Sequence, residues 1–409
     1  MKPRSVTARY QTAARIWLTL AGLSLLLPPA DRRGLWLPLH LALAGAIATA
    51  ISGAMQNFML ALTATPSPPT WMTNTQFGLT LVGTALISVG MPADIPWLVG
   101  AGGTAFVAAM TVLGWMLRRA WRTALNRRHT LPIAAYGAAV IAVLIGGALG
   151  ALLGSGVVAG TTYVHLQRVH MTMNVLGFAS LTVVGTLFTL LPTALRVRIP
   201  PWRGHSVLGL FVVGLLLQLT GWSLAFTPVL AAGGITYAAG ALGLAWFVIS
   251  VLRLERQWRP PLAAMHMVAA ACWFVWGSLG LAWALIHGPT GFAAYRTTFL
   301  VAFAGGWLLQ VLLGAWAYLL PMAWPGHPDE RRRTLAAFEL AAPVQLLVLN
   351  GGLVLLAARG AAWIGPGAGD IAILLTATGA VVALAKAWLF PLLGRGPVDT
   401  DRARAVWGG

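Results

Sequence analysis

The feature that most constrains this chain is a succession of apolar stretches, each about as long as a bilayer is thick. A helix needs about 20 apolar residues to cross the hydrocarbon core. Twelve candidate spans follow one another at roughly 13–29, 36–63, 71–90, 95–117, 131–153, 163–192, 204–223, 228–252, 261–287, 294–322, 338–358 and 369–394. The connections are short and rich in Pro, Gly and Arg, and no extramembrane domain fits between them. The whole chain, 1–409, therefore reads as a single integral membrane domain. Its fold class is all-α, a polytopic bundle of about twelve transmembrane helices. Only 9% of the residues are charged, against about 25% in soluble proteins, which excludes a soluble enzyme, a nucleic-acid binder and a disordered chain. The start, with Lys2, Arg4, Arg9 and Arg15 around an apolar run at 16–27, resembles a signal peptide. No small-residue cleavage site follows, so it reads as an uncleaved first helix.

The net charge of +18 would suggest nucleic acid in a soluble chain. Here it reports orientation, because basic residues in short loops stay cytoplasmic. With twelve spans both termini share a side, and 21 of the 27 basic residues fall there. Five fall on the opposite side: Arg32, Arg33, Arg168, Arg296 and Arg359, while Lys386 lies within span twelve. The expectation is a bacterial cytoplasmic membrane protein with both ends in the cytoplasm.

An internal pattern recurs along the chain. Span two carries Gly45 and Gly53, span six Gly177 and Gly185, and span ten Gly306 and Gly314, with similar spacing in each pair. Spans six and ten also end alike, Gly185-Thr-Leu-Phe-Thr-Leu-Leu-Pro192 against Gly314-Ala-Trp-Ala-Tyr-Leu-Leu-Pro321. The spacing fits a three-fold pseudo-repeat of four helices. Small residues at helix contacts account for it equally well.

Chemistry must come from few polar groups, which are costly inside hydrocarbon. No Asp or Glu sits mid-span; Glu339 is near an inner end and Asp370 near an outer end, which argues against a buried carboxylate proton relay. One cysteine, Cys272, excludes an intramolecular disulfide, covalent haem attachment, an iron–sulfur cluster and a thiolate zinc site. Any metal must then use histidine. His40 begins span two, His165 and His170 begin span six, and His287 ends span nine, all at one outer depth. His129, His205 and His327 sit at cytoplasmic ends as boundary residues, and His266 lies near the inner end of span nine.

His170, Asn174, Gly177, Leu181 and Gly185 share one helix face, a stripe that suits a flat ligand close to the backbone. His165, five residues earlier, is about 140° away and cannot chelate the same ion from a regular helix. In span two, Gly45, Thr49, Ser52, Gly53 and Gln56 form a similar small and polar stripe. His40 is off it by about 140° unless the helix is irregular there. Arg168 and Arg296 stand at the outer level, placed to clamp haem propionates or lipid phosphates. Met171 and Met173 are either soft copper ligands or core filler. Asn174, Gln310, Gln56 and Asn350 read as interhelical hydrogen-bond glue.

The outer histidines of spans two and six, with the repeated glycines, resemble the haem–copper oxidase subunit I superfamily, which has a pseudo-threefold arrangement of helices. His40-Leu-Ala-Leu-Ala-Gly45, Thr49-Ala-Ile-Ser-Gly53 and His165-Leu-Gln-Arg-Val-His170 are similar to NnrS-type membrane proteins. They also look like actinobacterial membrane proteins associated with copper nitrite reductase or multicopper oxidase domains. The resemblance covers nearly the whole chain through short motifs. It implies a haem b, with copper as an added candidate, and a role in electron transfer or in handling nitric oxide and nitrosative stress. Departures are large: the oxidases carry histidines on span ten, where this chain has Phe299 and Val301, and a histidine pair on span seven, where it has only His205. A full oxygen-reducing binuclear centre does not fit. What carries over is a cofactor or metal site at His40, His170 and His165, with Asn174, Arg168 and Arg296 around it. Two other functions fit the composition. One is a small-solute permease, although Pro192 and Pro321 stand at helix ends and not at the midplane. The other is a non-catalytic scaffold docking a periplasmic cupredoxin or multicopper oxidase.

Overall fold

Each apolar stretch forms a helix. The computed structural model describes residues 3–199, 202–255, 260–323 and 328–393, and among these there is no strand. The helices are α1 (Pro3–Ser24), α2 (Trp36–Thr63), α3 (Thr70–Gly90), α4 (Pro96–Arg122), α5 (Thr130–Gly154), α6 (Gly160–Ala194) and α7 (Gly204–Ser223). They continue as α8 (Thr227–Leu254), α9 (Leu262–Ile286), α10 (Gly288–Met322), α11 (Pro328–Glu339), α12 (Ala342–Gly360) and α13 (Pro366–Leu393). All except α1, α3 and α11 are long and apolar enough to cross a bilayer, ten helices among the described residues. The architecture is that of a multi-pass membrane protein. Expected spans one and three are full helices, α1 and α3, but too polar to meet that standard. In α1 the cause is its basic residues; in α3 it is Thr70, Thr73, Asn74, Thr75 and Gln76. The short α11 was not expected. Its sequence, Pro-Asp-Glu-Arg-Arg-Arg, is too polar for a span. His327 lies outside the described residues.

The chain divides into two compact units. Unit one comprises Met1–Thr186, Arg203–Gly240 and Leu285–Gly288; unit two comprises Leu187–Trp202, Ala241–Ala284 and Pro289–Gly409. Within unit one, α3 and α4 cross at glycines. A Cβ on Gly83 would stand 2.8 Å from the Gly102 carbonyl oxygen, and one on Gly102 would stand 2.8 Å from that of Gly83. The backbones therefore touch directly, the packing that small residues permit where lipid offers no hydrophobic drive. The turn from α5 into α6 needs left-handed backbone twice and has glycine at both places, Gly156 (φ 75°) and Gly160 (φ 63°).

In unit two, α12 and α13 cross at Gly352, against Thr376, and at Gly379, against Leu349. The carboxylate of Glu339 ends α11 by accepting the Leu262 N–H on both oxygens, 2.9 Å each, at the start of α9. Lys386 donates to the Phe338 and Leu340 carbonyls at 3.0 and 2.6 Å. Burial pushes the Glu339 carboxyl above the usual carboxylate range; the Leu262 N–H and the Lys386 charge pull part of that back. A raised carboxyl pKa makes the folded state hold its proton longer than the unfolded chain. The stability it contributes is present below the ordinary carboxylate pKa and is lost as pH rises through the raised value. Thermal melts in detergent should show Glu339→Gln less sensitive than the parent to raising pH from about 4 towards neutral. Equal pH slopes would contradict this assignment.

Candidate functional site

Three helices carry π-helical segments: α2 at Leu41–Ile47, α6 at Thr172–Ala179 and α10 at Leu300–Leu309. A π-helix bonds residue i to i+5, so five residues make close to one turn. This corrects the phase expected for His40. In an unbroken α-helix it stands about 140° from Gly45. The π segment begins at the next residue and turns the histidine back towards the glycine face.

The consequence is a meeting of imidazoles in unit one. The rings of His40 and His170 lie 6.4 Å apart between centroids, with planes only 13° from parallel. That is too far for stacking contact. Each ring is anchored through Nδ1: His40 Nδ1 lies 2.8 Å from the Trp36 carbonyl oxygen and His170 Nδ1 lies 2.7 Å from that of Gly146. A carbonyl only accepts, so both Nδ1 atoms carry the proton. In a neutral imidazole the lone pair is then on Nε2. No hydrogen bond engages either Nε2 among the described residues. Trp36 also stacks on His40, with centroids 3.8 Å apart and planes at 18°.

α5 makes room for this arrangement. A Cβ at Gly150 would stand 2.6 Å from His170 Cε1, and one at Gly146 would stand 2.6 Å from Asn174 Nδ2. Asn174 donates to the His170 carbonyl at 2.8 Å. Its 3.2 Å approach to His170 Nδ1 is proximity only, since that nitrogen already donates to Gly146. Sequence reasoning missed these two glycines, because nothing in the α5 sequence alone says which neighbour lies against it.

The other expected residues are placed separately. His165 is half-buried and its Nδ1 has no partner. Among the described residues no three His, Cys, Asp or Glu side chains gather as a metal group. The guanidinium of Arg168 lies over the Trp222 ring, 4.9 Å from its centroid. Arg296 is exposed on α10, in unit two. His287 is exposed, and His205 is exposed with Nε2 3.0 Å from Thr130 Oγ1. Met173 is core, 3% exposed.

The glycine stripes also differ from expectation, because side chains of neighbouring helices pack against these glycines. Gly45 and Gly53 receive Trp17 and Tyr10 of α1. Gly177 and Gly185 receive Ala142 and Ala135 of α5, while Gly306 and Gly314 receive Trp273 and the Ala263–His266 turn of α9. The glue amides do bridge helices. Gln310 and Asn350 exchange hydrogen bonds of 2.9 and 3.1 Å, and Trp273 Nε1 donates to Asn350 at 2.7 Å. Compared with known proteins, the chain matches no family model and no curated sequence.

Proposed function

We propose that this is a haem-binding electron-transfer protein of the membrane, in which His40 and His170 would hold the haem. One observation carries the reading: two near-parallel imidazoles stand 6.4 Å apart, each with its Nδ1 held by a backbone carbonyl. Metal–nitrogen bonds of about 2.0 Å, with about 1.1 Å from Nε2 to ring centre, would put the centroids of two imidazoles on one metal up to about 6.2 Å apart. The observed separation is 6.4 Å. Both Nδ1 atoms donate to carbonyls, the outer arrangement that sets the tautomer of metal-binding histidines and raises their basicity. A b-type haem held there supplies reversible one-electron chemistry. The chain's residues hold the rings: the Trp36 and Gly146 carbonyls orient them, Trp36 covers His40, and Gly150 admits His170. Arg168 and His165 precede His170 on α6 by about half a turn and just under one and a half turns.

The three-fold repeat belongs to the same reading. It is supported by three π segments in α2, α6 and α10 and by glycine seams filled by α1, α5 and α9. In each case the filling pair is seven residues apart: Tyr10 and Trp17, Ala135 and Ala142, His266 and Trp273. Twelve spans, both termini in the bacterial cytoplasm and the His40–His170 pair towards the periplasm complete it. Nitric oxide handling and a periplasmic cupredoxin or multicopper oxidase partner rest on the resemblance to NnrS-type proteins. A reduced-minus-oxidised optical spectrum of the purified protein, with metal analysis, tests the proposal. It should show low-spin b-type haem bands. Copper in equal stoichiometry to protein without haem would replace haem by copper at the same pair, and absence of both would overturn the proposal.

A further inference from the structure

We propose that a cavity between the ends of α6 and α10 and the start of α9 holds the phosphoethanolamine headgroup of a zwitterionic lipid, with its ammonium on Glu339 and its phosphate at Arg196. The inference is independent of any metal. The cavity lies wholly within unit two and has a volume of about 60 Å³, several times the roughly 10–15 Å³ that one water needs. Its lining includes Arg196 just after α6, Pro261 just before α9, Tyr318 and Met322 of α10, and Leu335 and Glu339 of α11. Helix ends are the level of lipid headgroups, and basic pockets between membrane helices bind them there.

Two charges of opposite sign line this one cavity, yet Arg196 and Glu339 form no ion pair with each other. Glu339 calls for a cationic donor. Both of its oxygens accept the single Leu262 N–H at 2.9 Å, which leaves about half of a carboxylate's four lone-pair sites open. Lys386 spends its Nζ on the Phe338 and Leu340 carbonyls, and among the described residues no basic side chain forms an ion pair with Glu339. Burial raises the Glu339 pKa in spite of the Leu262 N–H and the Lys386 charge, so a further positive group in contact favours the charged carboxylate. A primary ammonium brings three N–H donors to it. Arg196, exposed on the same cavity, is the side chain that pairs with phosphate oxygens. A purely anionic headgroup would meet the Glu339 charge, and a purely cationic one the Arg196 charge; a zwitterion satisfies both. Met322 is 36% exposed, and Leu340, the residue after Glu339, is 63% exposed, so apolar surface for the acyl chains adjoins the charged lining.

Isothermal titration calorimetry of the full-length protein in detergent, with dihexanoyl lipids as titrants, tests this. Dihexanoyl phosphatidylethanolamine should bind about tenfold or more tightly than the phosphatidylcholine, whose trimethylammonium has no N–H to donate, and than the phosphatidylglycerol, which has no cation. Tenfold is the worth of one charge-assisted hydrogen bond. Glu339→Gln keeps an acceptor for the Leu262 N–H and removes the charge, so it should erase the preference for ethanolamine over choline. Arg196→Gln should weaken both lipids about tenfold, while Arg198→Gln, outside the cavity lining, should weaken neither. Equal affinity of the parent protein for the ethanolamine and choline lipids would overturn the proposal without recourse to any variant, as would an unchanged preference in Glu339→Gln. Free phosphoethanolamine binding as tightly as the lipid would overturn the lipid as its source.

Discussion

Replacing His170 with alanine is expected to abolish metal binding at the α2–α6 site, lowering affinity by more than about 100-fold, beyond the 10–100-fold typical of losing a supporting residue. The reason is geometric. His170 supplies one of the two Nε2 atoms that no hydrogen bond engages at this site, and among the described residues no third His, Cys, Asp or Glu gathers with them as a metal group. The fold should survive, because α6 is held by Gly177 and Gly185 against Ala142 and Ala135, away from the imidazole. His165→Ala should leave binding intact, since the proposed pair does not include it. Titration of haem into detergent-purified variants, followed by absorbance, checks both. Tight binding by the His170→Ala protein would remove the site from this pair.

Gly150→Ala is the second large effect expected, from a residue with no chemistry of its own. The added methyl would stand 2.6 Å from His170 Cε1 and 2.8 Å from Nδ1, inside the contact distance of any real pair. The ring must swing away, and its bond to the Gly146 carbonyl breaks with it. Affinity for the metal should fall about 10–100-fold, and overpacking should cost about 1–3 kcal/mol of stability. Gly147→Ala, whose methyl meets Val107 Cγ2 at 3.1 Å and Phe106 Cδ1 at 3.8 Å but not His170, should change affinity little. The comparison separates a specific push on His170 from general damage to α5, read by the same titration and by thermal melts.

These effects show which layers of the molecule the amino-acid order exposes. Helices were legible because their signal, a long apolar run between Pro, Gly and Arg, is local. Apolarity alone could not decide α1 and α3, where arginines and amides share the helix with apolar residues. His170 and Asn174 were legible as one helix face, since four residues make about one turn. His40 was legible as a residue but not as a direction. Its orientation depends on a π segment, and Leu41-Ala-Leu-Ala-Gly45 carries no local mark of one. The roles of Gly146 and Gly150 depend on which helix packs against α5, a tertiary fact that spacing within one helix does not contain. The repeated glycines were visible, but the side chains that pack against them, Trp17, Tyr10 and Trp273, were not.

The most direct measurement of the central claim is electron paramagnetic resonance of the purified ferric protein. Two imidazoles holding one haem, with planes 13° from parallel, predict a rhombic low-spin signal in stoichiometric amount, lost in both His40→Ala and His170→Ala. A high-spin signal, no haem signal, or a low-spin signal that persists in the double variant would contradict the holding of the haem by His40 and His170.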